Sequence, residues 1–371
     1  MKKKRDVEIN KIKTVFGESA VPAPEKINAP IDGWHNTFLH RLSDSIHTSA
    51  AEIRTAVEMG ADVNIQNKSG ETPLMLAISK DNGDVVRALL QQGADIVVPS
   101  GKKNELPFNA VTQAICAGNV KMLQIVLEEG GGRYVNYQGN TKWREADGMS
   151  GVALLARAYK TQGMRLEEDK YIKMARLLIQ AGAFLEGESG PSDLTPLMHA
   201  ATAGSTALVH LIMESGADLN YQHSKTGHTI LHHIADTEYH LMATPLIARG
   251  ARTDIRDREG RLPLHIAARD ARLYMMKALL QHSAADVNAR VVGGREETPL
   301  HLAAQANSLI CAETLLEKGA DPAATDLSGH TPKQHADPKA AVYAPLARAE
   351  DAALRRRHDE GYHKAYKPPS P

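Results

Sequence analysis

Apolar residues along the chain fall in short double bursts. An Ala-rich stretch comes first, as at Ala200-Ala201, Ala267-Ala268 and Ala303-Ala304, and Leu-Leu stripes such as Leu89-Leu90, Leu177-Leu178, Leu279-Leu280 and Leu315-Leu316 mark the second part. Glycines (Gly60, Gly93, Gly182, Gly216, Gly250, Gly319) close most of the bursts. A Thr-Pro pair opens several of them: Thr72-Pro73, Thr195-Pro196 and Thr298-Pro299. Threonine can accept an N–H bond at a helix start, and proline at the first helical position forfeits no hydrogen bond. Glycine suits the left-handed residue that ends a helix. Each burst therefore predicts two short helices, the first thin enough to pack closely through alanine and the second carrying a leucine stripe. Neither helix is stable alone at that length, so the pairs must stack on one another.

The bursts recur at a nearly fixed interval. Gly60 to Gly93 is 33 positions, and Gly216 to Gly250 is 34. Gly-Ala-Asp stands at Gly60-Ala61-Asp62, Gly93-Ala94-Asp95, Gly216-Ala217-Asp218 and Gly319-Ala320-Asp321. Upstream lie Thr72-Pro73-Leu74, Leu262-Pro263-Leu264-His265 and Thr298-Pro299-Leu300-His301, with Thr229-Ile230-Leu231-His232 as a weaker copy. Thr-Pro-Leu-His, two short helices and Gly-Ala-Asp at this period resemble the ankyrin-repeat family. The resemblance covers residues 35–348 and implies an all-α repeat solenoid of about nine helix-turn-helix units with projecting hairpin-like loops.

The units are unequal. The first, Asn36 to Ile65, lacks the proline and reads as an N-terminal cap; the last, from His330-Thr331-Pro332, soon meets Pro338 and Pro345 and reads as a C-terminal cap. The fourth is the most irregular, with Gly182 standing 52 positions after Gly130. Its extra length is expected as a loop over residues 131–149 and as lengthened helices over 153–174. Residues 1–34 form a basic, proline-containing leader expected to be disordered, and 349–371 the end of a short helix fraying into a disordered tail.

Composition narrows the function more than the fold. Lys plus Arg equals Asp plus Glu at 44 each, so no whole-molecule field draws the chain to nucleic acid or to an acidic membrane. No run approaches the roughly 20 apolar residues of a membrane span. Cys116 and Cys311 lie far apart and lack the spacing of a metal knuckle or redox pair, which favours a reducing, cytoplasmic setting. The sequence contains no Gly-x-Ser-x-Gly elbow, no phosphate-binding Gly-x-x-x-x-Gly-Lys-Ser/Thr and no His-Glu-x-x-His. What lies outside the repeats is too short to fold as a catalytic domain. No enzyme and no cofactor are therefore expected.

The 17 histidines raise the question of a metal. In the family, the histidine at the position of His265 and His301 is a structural hydrogen-bonding residue. His228 and His232 could share a helix face, but the pattern supplies no third ligand.

Two groups of residues are candidates for partner binding. Tyr134, Tyr137 and Trp143 concentrate aromatic side chains in the insertion, where they either bind or fold back over the irregular unit. Repeat register lines up Lys225 and His228, then Arg256, Arg258 and Arg261, then Arg290 and Arg295, on successive loop tips, with Arg269 on an inner helix. Such a basic stripe suits an acidic protein partner. The resemblance implies a monomeric protein-binding scaffold or adaptor. The alternatives are a dedicated binder or immunity protein for one toxin, or a bacterial effector delivered by a specialised secretion system to act on host proteins.

Overall fold

The computed structural model of the chain describes residues 21–98, 108–136, 150–162, 168–188, 193–237, 239–281 and 286–365. It divides into two compact units, Met1–His199 and Ala200–Pro371.

In the first unit the helices come in pairs: α1 (Phe38–Ser43) with α2 (Ala50–Glu58), α3 (Pro73–Ser79) with α4 (Gly83–Gln91), α5 (Ala110–Cys116) with α6 (Val120–Glu128), and α7 (Gly151–Gln162) with α8 (Glu168–Gln180). First helices pack on first helices and second on second, giving two stacked layers with the core between them. Leu39, Leu74, Ala77, Ala114, Leu123 and Leu155 are fully enclosed there. A two-residue antiparallel pair, β1 (Val97–Val98) with β2 (Phe108–Asn109), precedes α5. In sequence, the boundary between the units falls within helix α9 (Pro196–Ala203).

The second unit continues with α10 (Thr206–Glu214), α11 (Ile230–Ala235), α12 (Ala243–Ala248), α13 (Pro263–Arg269), α14 (Leu273–Gln281), α15 (Pro299–Gln305), α16 (Leu309–Glu317), α17 (Pro332–His335) and α18 (Tyr343–Ala365). Here α11, α13, α15 and α17 form one layer, and α12, α14, α16 and α18 the other. Thr72 and Thr195 cap α3 and α9 through their hydroxyls, accepting the N–H of Met75 (3.4 Å) and Met198 (3.3 Å). The closing glycines are left-handed as expected, for example Gly93 at φ 89° and Gly250 at φ 101°.

Consecutive repeats are joined by an asparagine clasp. Asn64 donates its Nδ2 to Gly93 O (3.5 Å) and accepts the Asp95 N–H (2.8 Å). Asn288 does the same to Gly319 (3.2 Å) and Asp321 (2.8 Å), and Asn28, Asn136 and Asn220 repeat the arrangement. Both halves of the amide are used, so each clasp satisfies an acceptor and a donor of the next loop at once.

Three expectations shift. Residues 21–34 are folded: Pro24–Lys26 is a 3-10 turn, Ile27 is buried, and the Asn28 clasp grips Gly60 and Asp62, so the array begins ahead of residue 35. At the other end α18 is one helix of 23 residues, with Leu346 and Glu350 buried, so the segment from 349 onward is helical as far as Ala365. The start of the insertion is a 3-10 turn, Gly131–Tyr134, followed by buried Val135. A side chain at Gly131 would stand 2.5 Å from Val126 O, which explains why the turn is built from glycine. The lengthened helices are present: α7 has 12 residues and α8 has 13, against 7 and 9 for α13 and α14. Tyr159 and Tyr171 meet edge to face at 5.4 Å between α7 and α8.

Candidate partner-binding surface

In the second unit the loop tips lie against one another as a ladder. Arg258 N–H donates to Thr226 O (2.9 Å), Val292 N–H to Gly260 O (3.2 Å) and Leu327 N–H to Arg295 O (2.9 Å). The approach is so close that a Cβ at Gly260 would sit 1.9 Å from Val292 O, and its φ of +74° is one that L side chains rarely adopt. A parallel line of side chains reinforces the ladder. Gln222 donates to Arg256 O (2.9 Å), Arg256 to Arg290 O (2.8 Å) and Arg290 to Thr325 O (2.7 Å).

This arrangement divides the expected basic stripe. Arg256 and Arg290 donate to carbonyls of their own tip and of the following one, and Arg290 also meets the Glu296 carboxylate. Arg261 is mostly enclosed, paired with Asp257 at 2.9 Å and Glu259 at 2.7 Å. Arg269 is bidentate on Asp270 at 2.8 and 2.7 Å. His228 is turned toward Asp257, with its Nε2 3.4 Å from the carboxylate. Burial works to raise the Asp257 carboxyl, but hydrogen bonds from His228 and Arg261 outweigh it and hold the group far below the usual carboxylate range. His228 and Arg261 are committed to the fold because the Asp257 carboxylate needs counter-charge once it is buried. Arg258 and Arg295 are exposed, as is Lys225.

Sequence register alone did not reveal the apolar members of the same row. Val292 and Leu327 occupy the tip position of Arg258 in the following repeats, and they are 59% and 66% exposed. The signal was present at Leu327, an aliphatic residue in a turn where Lys68 and Arg258 stand in other repeats. In the insertion, Tyr134 is half-buried with the Arg133 guanidinium 5.7 Å over its ring, while Tyr137 and Trp143 lie outside the described residues. A separate hollow of about 460 Å³ in the first unit is bordered by exposed Ile31 and Trp34.

The repeat histidines are fasteners. His301 Nδ1 accepts the Thr298 N–H (3.1 Å) and lies 2.8 Å from its hydroxyl, so Nε2 carries the proton and donates to His330 O (3.0 Å). His265 links Leu262 N to Ala289 O, His232 links Thr229 to Arg261 O, and His40 links Thr37 to Glu71 O. Burial pushes His232 and His265 down to about 4, so both are neutral at pH 7. His228 does stack on His232, at 5.3 Å, but both nitrogens of His232 are spent on the fold. Burial raises the Cys116 and Cys311 thiols, which keeps them protonated and poorly nucleophilic. Among the described residues no helix is long and apolar enough to cross a membrane.

Stacked helix pairs with mutually braced tips define a repeat solenoid of the kind that displays side chains for protein recognition. The family profile for ankyrin repeats matches residues 23–139, 166–257 and 231–326, and the chain belongs to the ankyrin-repeat family. It is 34% identical over 144 residues to a fowlpox virus (strain NVSL) ankyrin repeat protein, FPV031, covering 37% of this chain and 41% of that protein. It is 36% identical over 147 residues to the Neurogenic locus Notch protein of Drosophila melanogaster, covering 36% of this chain and 5% of that one. The chain thus spans less than half the length of these relatives. The solved ankyrin repeat domain of Bcl-3, a member of the IkappaB family, superposes with a TM-score of 0.53 at 25% identity, over 65% of this chain and 98% of that one. The human ASB11 ankyrin repeat domain gives 0.51 at 22% identity, over 65% and 97%, a likeness of fold. Ankyrin repeats are protein-interaction modules, and that general role applies to this chain.

Proposed function

We propose that the chain is a monomeric, cytoplasmic, non-enzymatic adaptor that binds a polypeptide segment carrying both acidic and apolar side chains along the tips of its second unit. The observation that supports this most is the row Arg258, Val292, Arg295 and Leu327, exposed on tips whose backbone groups already pair with one another. The N–H groups of Arg258, Val292 and Leu327 are already paired with the neighbouring tip, which favours recognition by their side chains over addition of a strand. Guanidinium groups suit carboxylates, and the two aliphatic groups between and beside them supply the apolar contact. Tyr137 and Trp143 remain a second candidate contact, and a dedicated toxin binder or a host-directed effector would use the same surface.

The test is affinity capture from the native cell with the full chain as bait, beside the triple variant Arg258→Glu, Arg295→Glu, Leu327→Asp. These side chains are exposed, so the helical spectrum and melting temperature should be unchanged while the specifically captured protein is lost. Equal capture by the variant would remove this row from the function.

A further inference from the structure

We propose that Asp326, His330 and His335 form a binding site for a divalent transition-metal ion, with zinc the best chemical match, that fastens the last loop tip to helix α17. The candidate ligand atoms of these residues lie within 4.8 Å of one another. Two are nitrogen and one is a carboxylate oxygen, a donor set that zinc takes readily with water in the fourth position.

The carboxylate is already oriented for the task. Asp326 Oδ1 accepts the N–H groups of Ser328 and His330, both at 2.8 Å, which leaves Oδ2 to face His335 Nε2 at 3.0 Å. The other ring nitrogen of His335 lies 3.7 Å from Glu297 Oε1, and both side chains are largely enclosed. A metal-bound imidazole commonly donates its second N–H to a carboxylate, which fixes the tautomer and ring orientation, and Glu297 is in the place to accept it. His330 is exposed, with its ring 6.0 Å from that of His335. Ligands of a tetrahedral zinc lie roughly 3.3 Å apart, from metal–ligand distances of about 2.0–2.1 Å. Ion binding would require the exposed His330 side chain to rotate so that a ring nitrogen comes within that distance.

Comparison within the chain carries the point further. Asp257 occupies the same place in an earlier tip, and its Oδ2 is met by the Arg261 guanidinium at 2.9 Å, a cation held where the later tip has His330. This carboxylate position therefore takes a positive partner in the earlier tip, and at Asp326 the arginine is replaced by an imidazole. His335, in turn, occupies the register of Ile266 and Leu302, both buried apolar residues of α13 and α15, and of His199 and His233 in two earlier repeats. At His335 the imidazole packs edge to face on His301, at 5.3 Å, and turns its Nε2 to the buried Asp326 carboxylate, which places a nitrogen ligand beside an oxygen one.

The experiment is calorimetric titration of zinc chloride into the full chain after chelator treatment, repeated with cobalt(II) to read the visible ligand-field bands of nitrogen and oxygen coordination. The wild type should take up one equivalent at this site with a dissociation constant of about 1 μM, and its melting temperature should rise with zinc. His330→Gln and His335→Asn should each lose that equivalent, and Glu297→Gln should weaken it by about 10-fold. His228→Gln, at the earlier tip, should retain it. Because His330 is exposed, His330→Gln tests the site even if His335→Asn disturbs folding. Retention of the full stoichiometry and affinity in His330→Gln, or no uptake by the wild type at 1 mM zinc, a level of about 1,000 times that constant, would overturn the proposal.

Discussion

The two units use the same repeat but fasten it differently. In the second, α11, α13 and α15 each carry a histidine that links its own N-terminus to a carbonyl of the following loop. In the first, among the described residues, only α1 does so, through His40. At the corresponding place in α3, Met75 brings its Sδ to 3.2 Å from the Thr72 N–H, taking over one half of the histidine's task with a weak acceptor. A thioether has no proton to pass on, so the link to the next loop is missing there. Stacking in the first unit thus rests more on apolar contact and on the asparagine clasps, whereas in the second it rests also on neutral, buried imidazoles.

The largest expected consequence is in acid. The ordinary histidine pKa is 6.5, and in the folded second unit His232 and His265 sit at about 4. The unfolded chain therefore binds more protons than the folded one between those values, and stability falls as pH drops through 6.5 toward 4. Each group accounts for up to about 3 kcal/mol, or about 6 kcal/mol together. Hydrogen exchange followed by mass spectrometry at pH 7 and pH 4.5 should show protection falling more over 230–269 than over 73–91. Equal losses in the two segments would break the contrast.

A single substitution should reproduce part of that effect. His265→Leu preserves bulk but leaves the Leu262 N–H and Ala289 O without their partner, and should destabilise the protein by about 3 kcal/mol in denaturant unfolding. It should also flatten the acid dependence. Smaller effects are expected from the device that both units share: Asn64→Ala and Asn288→Ala should each cost about 1–2 kcal/mol, and by similar amounts. Unequal losses would mean that the clasps, too, differ between units. The smallest change is a gain. Met75→His should restore the stronger N-terminal acceptor and raise stability by about 1 kcal/mol at pH 7, with new acid sensitivity in the first unit.

The periodic parts of the fold were legible because they follow from local chemistry: threonine caps, alanine faces and left-handed glycines each act within one turn of helix. The Asn28 clasp was hidden because its partners, Gly60 and Asp62, lie a full repeat away, and its surroundings contain enough proline and charge to read as disordered. The long α18 was obscured by Pro345, which falls in its first turn, where proline is tolerated. Register did align the tip arginines, but it could not say which of them a buried carboxylate or a neighbouring carbonyl would claim. Arg261 and Arg258 look equivalent as letters; Asp257 makes them different. Leu327 and Val292 escaped notice for the opposite reason, since an isolated aliphatic residue in a repeat protein reads as core until its tip position is known.

The ladder from Gln222 through Arg256 and Arg290 to Thr325 also has a mechanical side. Its bonds run from each repeat to the next, along the direction in which the stack would be pulled by its ends. A load applied that way strains one such junction at a time, so the second unit should yield in steps, each setting free one repeat of chain. For about 34 residues at roughly 3.5 Å each, a step is about 120 Å before subtracting the folded length. Under tension the protein would lengthen in discrete increments that keep the remaining repeats, and whatever they hold, intact.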